Sequence, residues 1–166
     1  MVKIRIGIGF DGHRFAAGRP LVLGGVEIRH PLGLAGHSDA DVLSHAIADS
    51  LLGAAGLEDI GHYFPDSDPE IAGISSLEIL SKIADLIGSA GCRIGNVDAV
   101  LVLEEPRVAP VRRQIRAALA GALRIAVADV SVRATTVEGM GFTGRKEGIA
   151  ATAVSLLECQ TVREDI

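Results

Sequence analysis

The stretch Val2-Lys3-Ile4-Arg5-Ile6-Gly7-Ile8-Gly9-Phe10-Asp11-Gly12-His13 decides how the chain is read. Apolar residues occupy every second position from Val2 to Phe10, and a period of two is the signature of a half-buried strand. Its far end offers a carboxylate, Asp11, and an imidazole, His13. Downstream, Gly36-His37-Ser38-Asp39-Ala40-Asp41-Val42-Leu43-Ser44-His45 reads as a loop entering a helix. Ser38 and Asp41 make the Ser-x-x-Asp pattern of a capping box, so the helix is expected to start near Asp39. Asp41, His45 and Asp49 then recur at a spacing of four, on one helical face. Asp11, His13 and His45 together make a set of two imidazoles and one carboxylate. That set suits a tetrahedral Zn²⁺ with one position open, the arrangement of a catalytic centre.

Outward from these segments, the order of elements follows from period and punctuation. Leu21-Val22-Leu23, Gly24-Gly25 and Val26-Glu27-Ile28 read as a hairpin with a two-residue turn. The helix after Asp39 carries Val42, Leu43, Ala46, Ile47, Leu51 and Leu52 and ends at Gly53. Residues 57–69, with two prolines and four acids, form a shaped functional loop. Ser75 to Glu78 is a second capping box, opening a helix through Leu80, Ala84 and Ile87 that closes at Gly91. Val97 to Leu103 is a central strand. Pro110 starts a third helix with Ile115, Leu119 and Leu123 inward and Arg112, Arg113 and Arg116 outward. Val132 to Val137 is a strand running into the glycine-rich Glu138 to Arg145, and Ile149 to Leu157 reads as a last strand rather than a helix. The expected fold is α+β: a single domain spanning 1–166, with a mixed four- to five-stranded sheet and helices on one face.

Composition narrows the function. The chain has 166 residues, 48% of them hydrophobic but only 3% aromatic, so Val, Ile, Leu and Ala must fill the core. A formal net charge of −5 provides no basic field for a nucleic-acid backbone. No apolar run reaches the ~18–20 residues of a membrane span, and the N-terminus lacks the apolar core of a signal peptide. Cys92 and Cys159 fit no metal or redox spacing and read as buried, reduced thiols of a cytoplasmic protein.

Seven segments, in order, resemble the 2-C-methyl-D-erythritol 2,4-cyclodiphosphate synthase family of the non-mevalonate isoprenoid pathway. They are Gly9 to His13; His37 to Val42 with His45; Asp59-Ile60-Gly61 with Phe64 to Pro69; Gly95 to Asp98; Ala134-Thr135-Thr136; Gly141 to Arg145; and Glu147 to Ala150. The resemblance implies that the 2-phosphate of 4-diphosphocytidyl-2-C-methyl-D-erythritol 2-phosphate attacks the β-phosphorus, releasing CMP and closing a cyclic diphosphate. It implies Asp11, His13 and His45 as Zn²⁺ ligands and Glu138 as the ligand of a Mg²⁺ or Mn²⁺ on the diphosphate. His37, Thr136 and Glu138 would serve catalysis. His37 and Ser38 would meet a phosphate at the helix start, where free N–H groups favour an anion. Thr135 and Thr136 would contact the diphosphate, and Asp59 and Gly61 the ribose. Phe64, Asp66 and Asp68 would meet the methylerythritol hydroxyls. The segment Leu103 to Ala109, with Arg107, would read cytosine, while Phe142 and Arg145 would complete the substrate site. The family is a homotrimer with active sites between subunits.

The chain departs from the family pattern at Gly12, where valine is frequent, at Arg107, where lysine is usual, and at Val137 and Gly139, which flank Glu138. Two other readings use the same residues: a Zn-dependent phosphohydrolase, and a cytidine-nucleotide-binding module without turnover. Read without the family, Asp39 and Asp41 complement a helix dipole, and Asp49 is either an acceptor behind His45 or a solvated acid.

Overall fold

The structure is a computed structural model that describes residues 1–160 apart from 66 and 72. Strand β1, Val2–Ala16, is long enough to cross the whole sheet. Along thirteen residue pairs it runs antiparallel to the last strand, here β7, Gly148–Gln160. The other strands are β2, Leu21–Leu23; β3, Val26–Ile28; β4, Gly33–Leu34; β5, Cys92–Val102; and β6, Val130–Thr135. The main sheet has the order β4-β1-β7-β5-β6, with β5 and β6 parallel and the other neighbours antiparallel. It is therefore mixed and five-stranded, as expected. β2 and β3 form a separate hairpin whose turn residues Gly24 and Gly25 have φ of 58° and 72°. A two-residue turn with both φ positive matches the strand twist, which is why glycine occupies both places.

Helices α1, Val42–Ala55, α3, Ser76–Ser89, and α4, Arg112–Leu123, cover one face of the sheet; the short α2, Ile60–Tyr63, and α5, Gly141–Gly144, sit in its loops. α1 lies on β1 and β7, α3 on β5, and α4 on β6. Between them, Leu43, Ile47, Leu51, Leu80, Ile83, Leu101 and Ile115 are fully buried. The core is aliphatic, as the scarcity of aromatic residues demands.

Four expectations are corrected. First, the apolar residues of β1 face away from the helices. Ile6, Ile8 and Phe10 are 68%, 73% and 66% exposed, while Gly7 and Gly9 are buried against α1. The period of two is right and its polarity is inverted, because only glycine lets the helix backbone lie this close. Second, α1 begins at Val42, capped by Asp41 rather than Ser38, and extends past Gly53 to close on Gly56 in the left-handed region. Third, Ser75 caps α3 without a side-chain bond, so no capping box forms there. Fourth, Cys92 and Cys159 are joined in a disulfide instead of standing as reduced thiols. They face each other across the β5–β7 ladder, 67 residues apart in sequence. Sequence spacing carries no hint of this, because their proximity is created by strand register.

Candidate metal centre

Asp41 builds the frame of the site. Its carboxylate is fully buried and accepts from the amides of Gly24, Gly25, Leu43 and Ser44 and from the Ser44 hydroxyl, at 2.7–3.2 Å. One side chain thus caps α1 and pins the β2–β3 turn to it. Of the amides at the helix start, those of Leu43 and Ser44 are used by this carboxylate. His45 then projects from the first turn of α1 towards the end of β1.

There it meets Asp11 and His13. Nε2 of His13 lies 2.8 Å from Oδ2 of Asp11, Nδ1 of His45 lies 3.1 Å from the same oxygen, and the two nitrogens are 3.3 Å apart. Donors ~2.0–2.1 Å from a tetrahedral Zn²⁺ stand roughly 3.3 Å from one another. The triangle is close to one face of that tetrahedron. The far nitrogens also fit: Nδ1 of His13 has the Ala35 carbonyl at 2.5 Å, and Nε2 of His45 has the hydroxyls of Ser76 and Ser38 at 3.0 and 3.2 Å. Each imidazole can place its proton outward and its lone pair towards Asp11. The residues present therefore fit a metal ion, and among the described residues this is the one cluster that does so.

Electrostatics point the same way. Partial burial would raise the Asp11 pKa, but hydrogen bonds and charge from His13 and His45 outweigh it and hold the carboxyl well below its usual range. Burial would lower the His13 pKa, and the bond to Asp11 overrides that and raises it. At Asp49 burial raises the pKa, opposed by the Ile60 amide, which donates to its Oδ1 at 2.9 Å. Asp49 is thus fixed to α2 and is not an acceptor behind His45.

The triad opens onto a cleft of about 460 Å³ that also has His37, Ser38, Asp49, Gly61 and Phe64 in its wall. Asp59 caps α2 by accepting from the His62 amide at 3.0 Å, which sets the position of Gly61. Asp68 lies beyond Phe64, in a neighbouring depression. Asp66 lies outside the described residues.

The remaining expected residues form a second group. Ala134 is linked to Asp11 by one row across the sheet, through Leu101 and Ala151. Three strand spacings of ~4.8 Å put Ala134 and its neighbours Thr135 and Thr136 roughly 14 Å from Asp11. Thr136 donates to Glu138 at 3.0 Å, and Glu138 sits at a φ of 54°. Leu103 bonds to the Thr135 carbonyl, joining the 103–109 segment, with Arg107 and Ala109 exposed on it, to β6. Arg145 is paired with Glu147. Phe142 lies 3.6 Å from where a Cβ of Gly12 would be. The departure at Gly12 is therefore beside Phe142, on the sheet face opposite the triad.

Sequence reasoning missed the roles of four residues. Glu104 accepts from the amides of Val137 and Gly139 and fastens the Glu138 turn. Arg19 donates to the carbonyls of Gly36 and Ser38, bracing the loop that carries His37. Ser76 and Asp39 stand behind His45; Asp39 was expected only to complement the helix dipole. None belongs to a recognisable spacing, since each acts across the fold.

Comparison with known proteins now bears on this geometry. The YgbB family profile matches residues 4–158. The chain belongs to the YgbB family. A 2-C-methyl-D-erythritol 2,4-cyclodiphosphate synthase of Thermosynechococcus vestitus is 55% identical over 158 residues, covering 95% of this chain and 98% of that one. The bifunctional enzyme IspD/IspF of Anaeromyxobacter dehalogenans is 56% identical over 93% of this chain, which spans 40% of that longer protein. A solved 2C-methyl-D-erythritol-2,4-cyclodiphosphate synthase in its CDP-bound form superposes with a TM-score of 0.84 at 37% identity, over 92% of this chain and 99% of that one. YgbB membership agrees with the seven motifs. Among the described residues no helix is long and apolar enough to cross a membrane.

Proposed function

We propose that this chain is a 2-C-methyl-D-erythritol 2,4-cyclodiphosphate synthase, a phosphorus–oxygen lyase. An oxygen of the substrate's 2-phosphate attacks the β-phosphorus. The bond from that phosphorus to the oxygen it shares with CMP breaks, and CMP leaves with the electron pair. No protein nucleophile is required, so positioning and electrostatics must supply the rate. The observation that carries this reading is the Asp11–His13–His45 triangle at the mouth of a cleft, in a chain more than half identical to synthases over nearly its full length.

When bound, Zn²⁺ at the triad and Mg²⁺ or Mn²⁺ at Glu138 would neutralise and polarise the two phosphate groups as they meet. The chain's own residues hold the substrate between these points. His37 and Ser38 meet the phosphate end, Asp59 and Gly61 the ribose, and Phe64, Asp66 and Asp68 the methylerythritol. Thr135 and Thr136 contact the diphosphate, Leu103 to Ala109 with Arg107 the cytosine, and Phe142 and Arg145 close the site.

The Glu138 group and the triad stand apart within one chain. A homotrimer with sites between subunits would join the triad of one copy to the Glu138 turn of the next. Support comes from the exposed outer sheet face, where Ile4, Ile6, Ile8 and Phe10 form an apolar row of the kind that marks an interaction surface. The partners are then two further copies and a nucleotide-linked substrate, and the compartment is the cytoplasm.

The test is phosphorus NMR of the protein with Zn²⁺, Mg²⁺ and the diphosphocytidyl substrate. CMP with a cyclic diphosphate is the expected result. CMP with an open-chain, water-containing product would make the protein a hydrolase, and no CMP would overturn the enzymatic reading.

A further inference from the structure

The proton inventory behind His45 is determined by residues that lie outside the metal triangle. Ser76, the first residue of α3, is fully buried. Its hydroxyl donates to Oδ1 of Asp39, and its backbone amide donates to Oδ2 of the same carboxylate at 2.9 Å. Oδ1 also accepts from the Asp41 amide at 3.2 Å. An ionised carboxylate only accepts, so the Ser76 proton is committed to Asp39. What Ser76 Oγ presents to Nε2 of His45, 3.0 Å away, is a lone pair. That arrangement favours the tautomer with its proton on Nε2 and its lone pair on Nδ1, the nitrogen that faces Asp11. Ser38 Oγ, 3.2 Å from the same nitrogen, already accepts from the Ala40 amide and does not have its proton assigned by a carboxylate.

We infer that Ser76 and Asp39 form a buried relay that fixes the tautomer and ring orientation of His45 and so sets the strength of the metal site. Both are positioning residues, outside the Asp11–His13–His45 cluster and outside the wall of the cleft. The relay joins two elements: Asp39 lies in the loop before α1 and Ser76 opens α3, so docking of α3 on α1 completes the ligand. It is the counterpart, through one hydroxyl, of the carboxylate–histidine pairs that support metal-bound imidazoles. The Ala35 carbonyl serves His13 directly. The inference rests on the zinc reading above.

The test measures zinc dissociation constants of the folded protein by competition with a chromophoric chelator. Ser76→Ala keeps the backbone amide bond to Asp39 and removes only the hydroxyl. It should weaken zinc binding by about 10- to 100-fold, the range for lost outer partners of metal-bound histidines. Asp39→Asn should weaken it in the wild-type background and add little in the Ser76→Ala background, because Asp39 reaches His45 through Ser76. In zinc-loaded protein the His45 Nε2 proton should exchange with solvent slowly, and at least tenfold faster in Ser76→Ala, which a merely structural serine would not cause. Circular dichroism identifies any variant that fails to fold, and Ser76→Cys then supplies a second substitution without an equivalent acceptor. Zinc affinity within threefold of wild type in folded Ser76→Ala, or additive losses in the double variant, overturns the relay while leaving the zinc site standing. Wild-type protein that binds no zinc overturns the metal reading and the relay together.

Discussion

A Cβ built on Gly9 would lie 2.0 Å from the carbonyl oxygen of Ala46. Strand β1 and helix α1 are in backbone contact here, one residue from His45 and two residues from Asp11. The spacing of the metal ligands is therefore set by glycine in the strand. Gly9→Ala should force the helix away, with overpacking costing about 3 kcal/mol or more. Urea unfolding would report that loss, and zinc affinity should fall with it because Asp11 and His45 separate. A stable Gly9→Ala protein with normal zinc binding would show that the contact is slack.

This contact also explains what the sequence could and could not reveal. The alternation from Val2 to Phe10 identified the strand because it is a local pattern, whereas His45, 32 residues from His13, joined Asp11-x-His13 through its ligand chemistry and the family resemblance. Which face of β1 points inward was not local. Large side chains normally face the core, yet here Gly7 and Gly9 do, and the apolar row lies on the other face. The helix start misread for a similar reason: Ser38 and Asp41 both satisfy capping chemistry, and the tie from Asp41 to Gly24 and Gly25 selects between them. Ser76, Arg19 and Glu104 act on the sites across long sequence separations and leave no spacing to read.

The Cys92–Cys159 disulfide supplies a second prediction. It closes a loop of 67 residues, and chain entropy assigns such a crosslink about 4 kcal/mol. Unfolded under non-reducing conditions, the protein should expose no free thiol, and two after reduction. Reduced protein, or Cys159→Ser, should melt several degrees lower with the sheet intact, since thirteen pairs still bind β7 to β1. A cytoplasm keeps thiols reduced, so in such a compartment the protein should populate the reduced form, the less stable of the two. Two free thiols in carefully oxidised protein would contradict the pairing.

The exposed row on β1 makes a third. If three copies bury Ile6 and Ile8 against one another, Ile6→Asp places a charge in that contact and should yield monomers by analytical ultracentrifugation. The triad lies on the opposite face, so zinc should stay bound. CMP release should nevertheless fall by more than a hundredfold, because in that assembly the Glu138 turn would come from a neighbouring copy. A monomer that keeps full turnover would show that one chain holds the whole site.

The fourth concerns the triad without its metal. In chelator-stripped protein, Asp11 and His13 form an ion pair at 2.8 Å, with the carboxyl pKa depressed and the imidazole pKa raised. The depressed carboxyl stabilises the fold above its unfolded value, ~3.9, and that contribution disappears as pH falls through the folded value. The raised imidazole stabilises below its unfolded value, ~6.5, and loses its contribution as pH rises through the folded value. Both are fully present only between ~4 and ~6.5. The melting temperature of stripped wild type minus that of stripped Asp11→Asn should therefore be largest in that window and shrink on either side. Zinc should invert the alkaline limb, because protons compete with the metal for His13 and His45 and binding tightens as pH rises. A difference that stays flat from pH 3 to 9 would mean that the pair carries no charge in the metal-free protein.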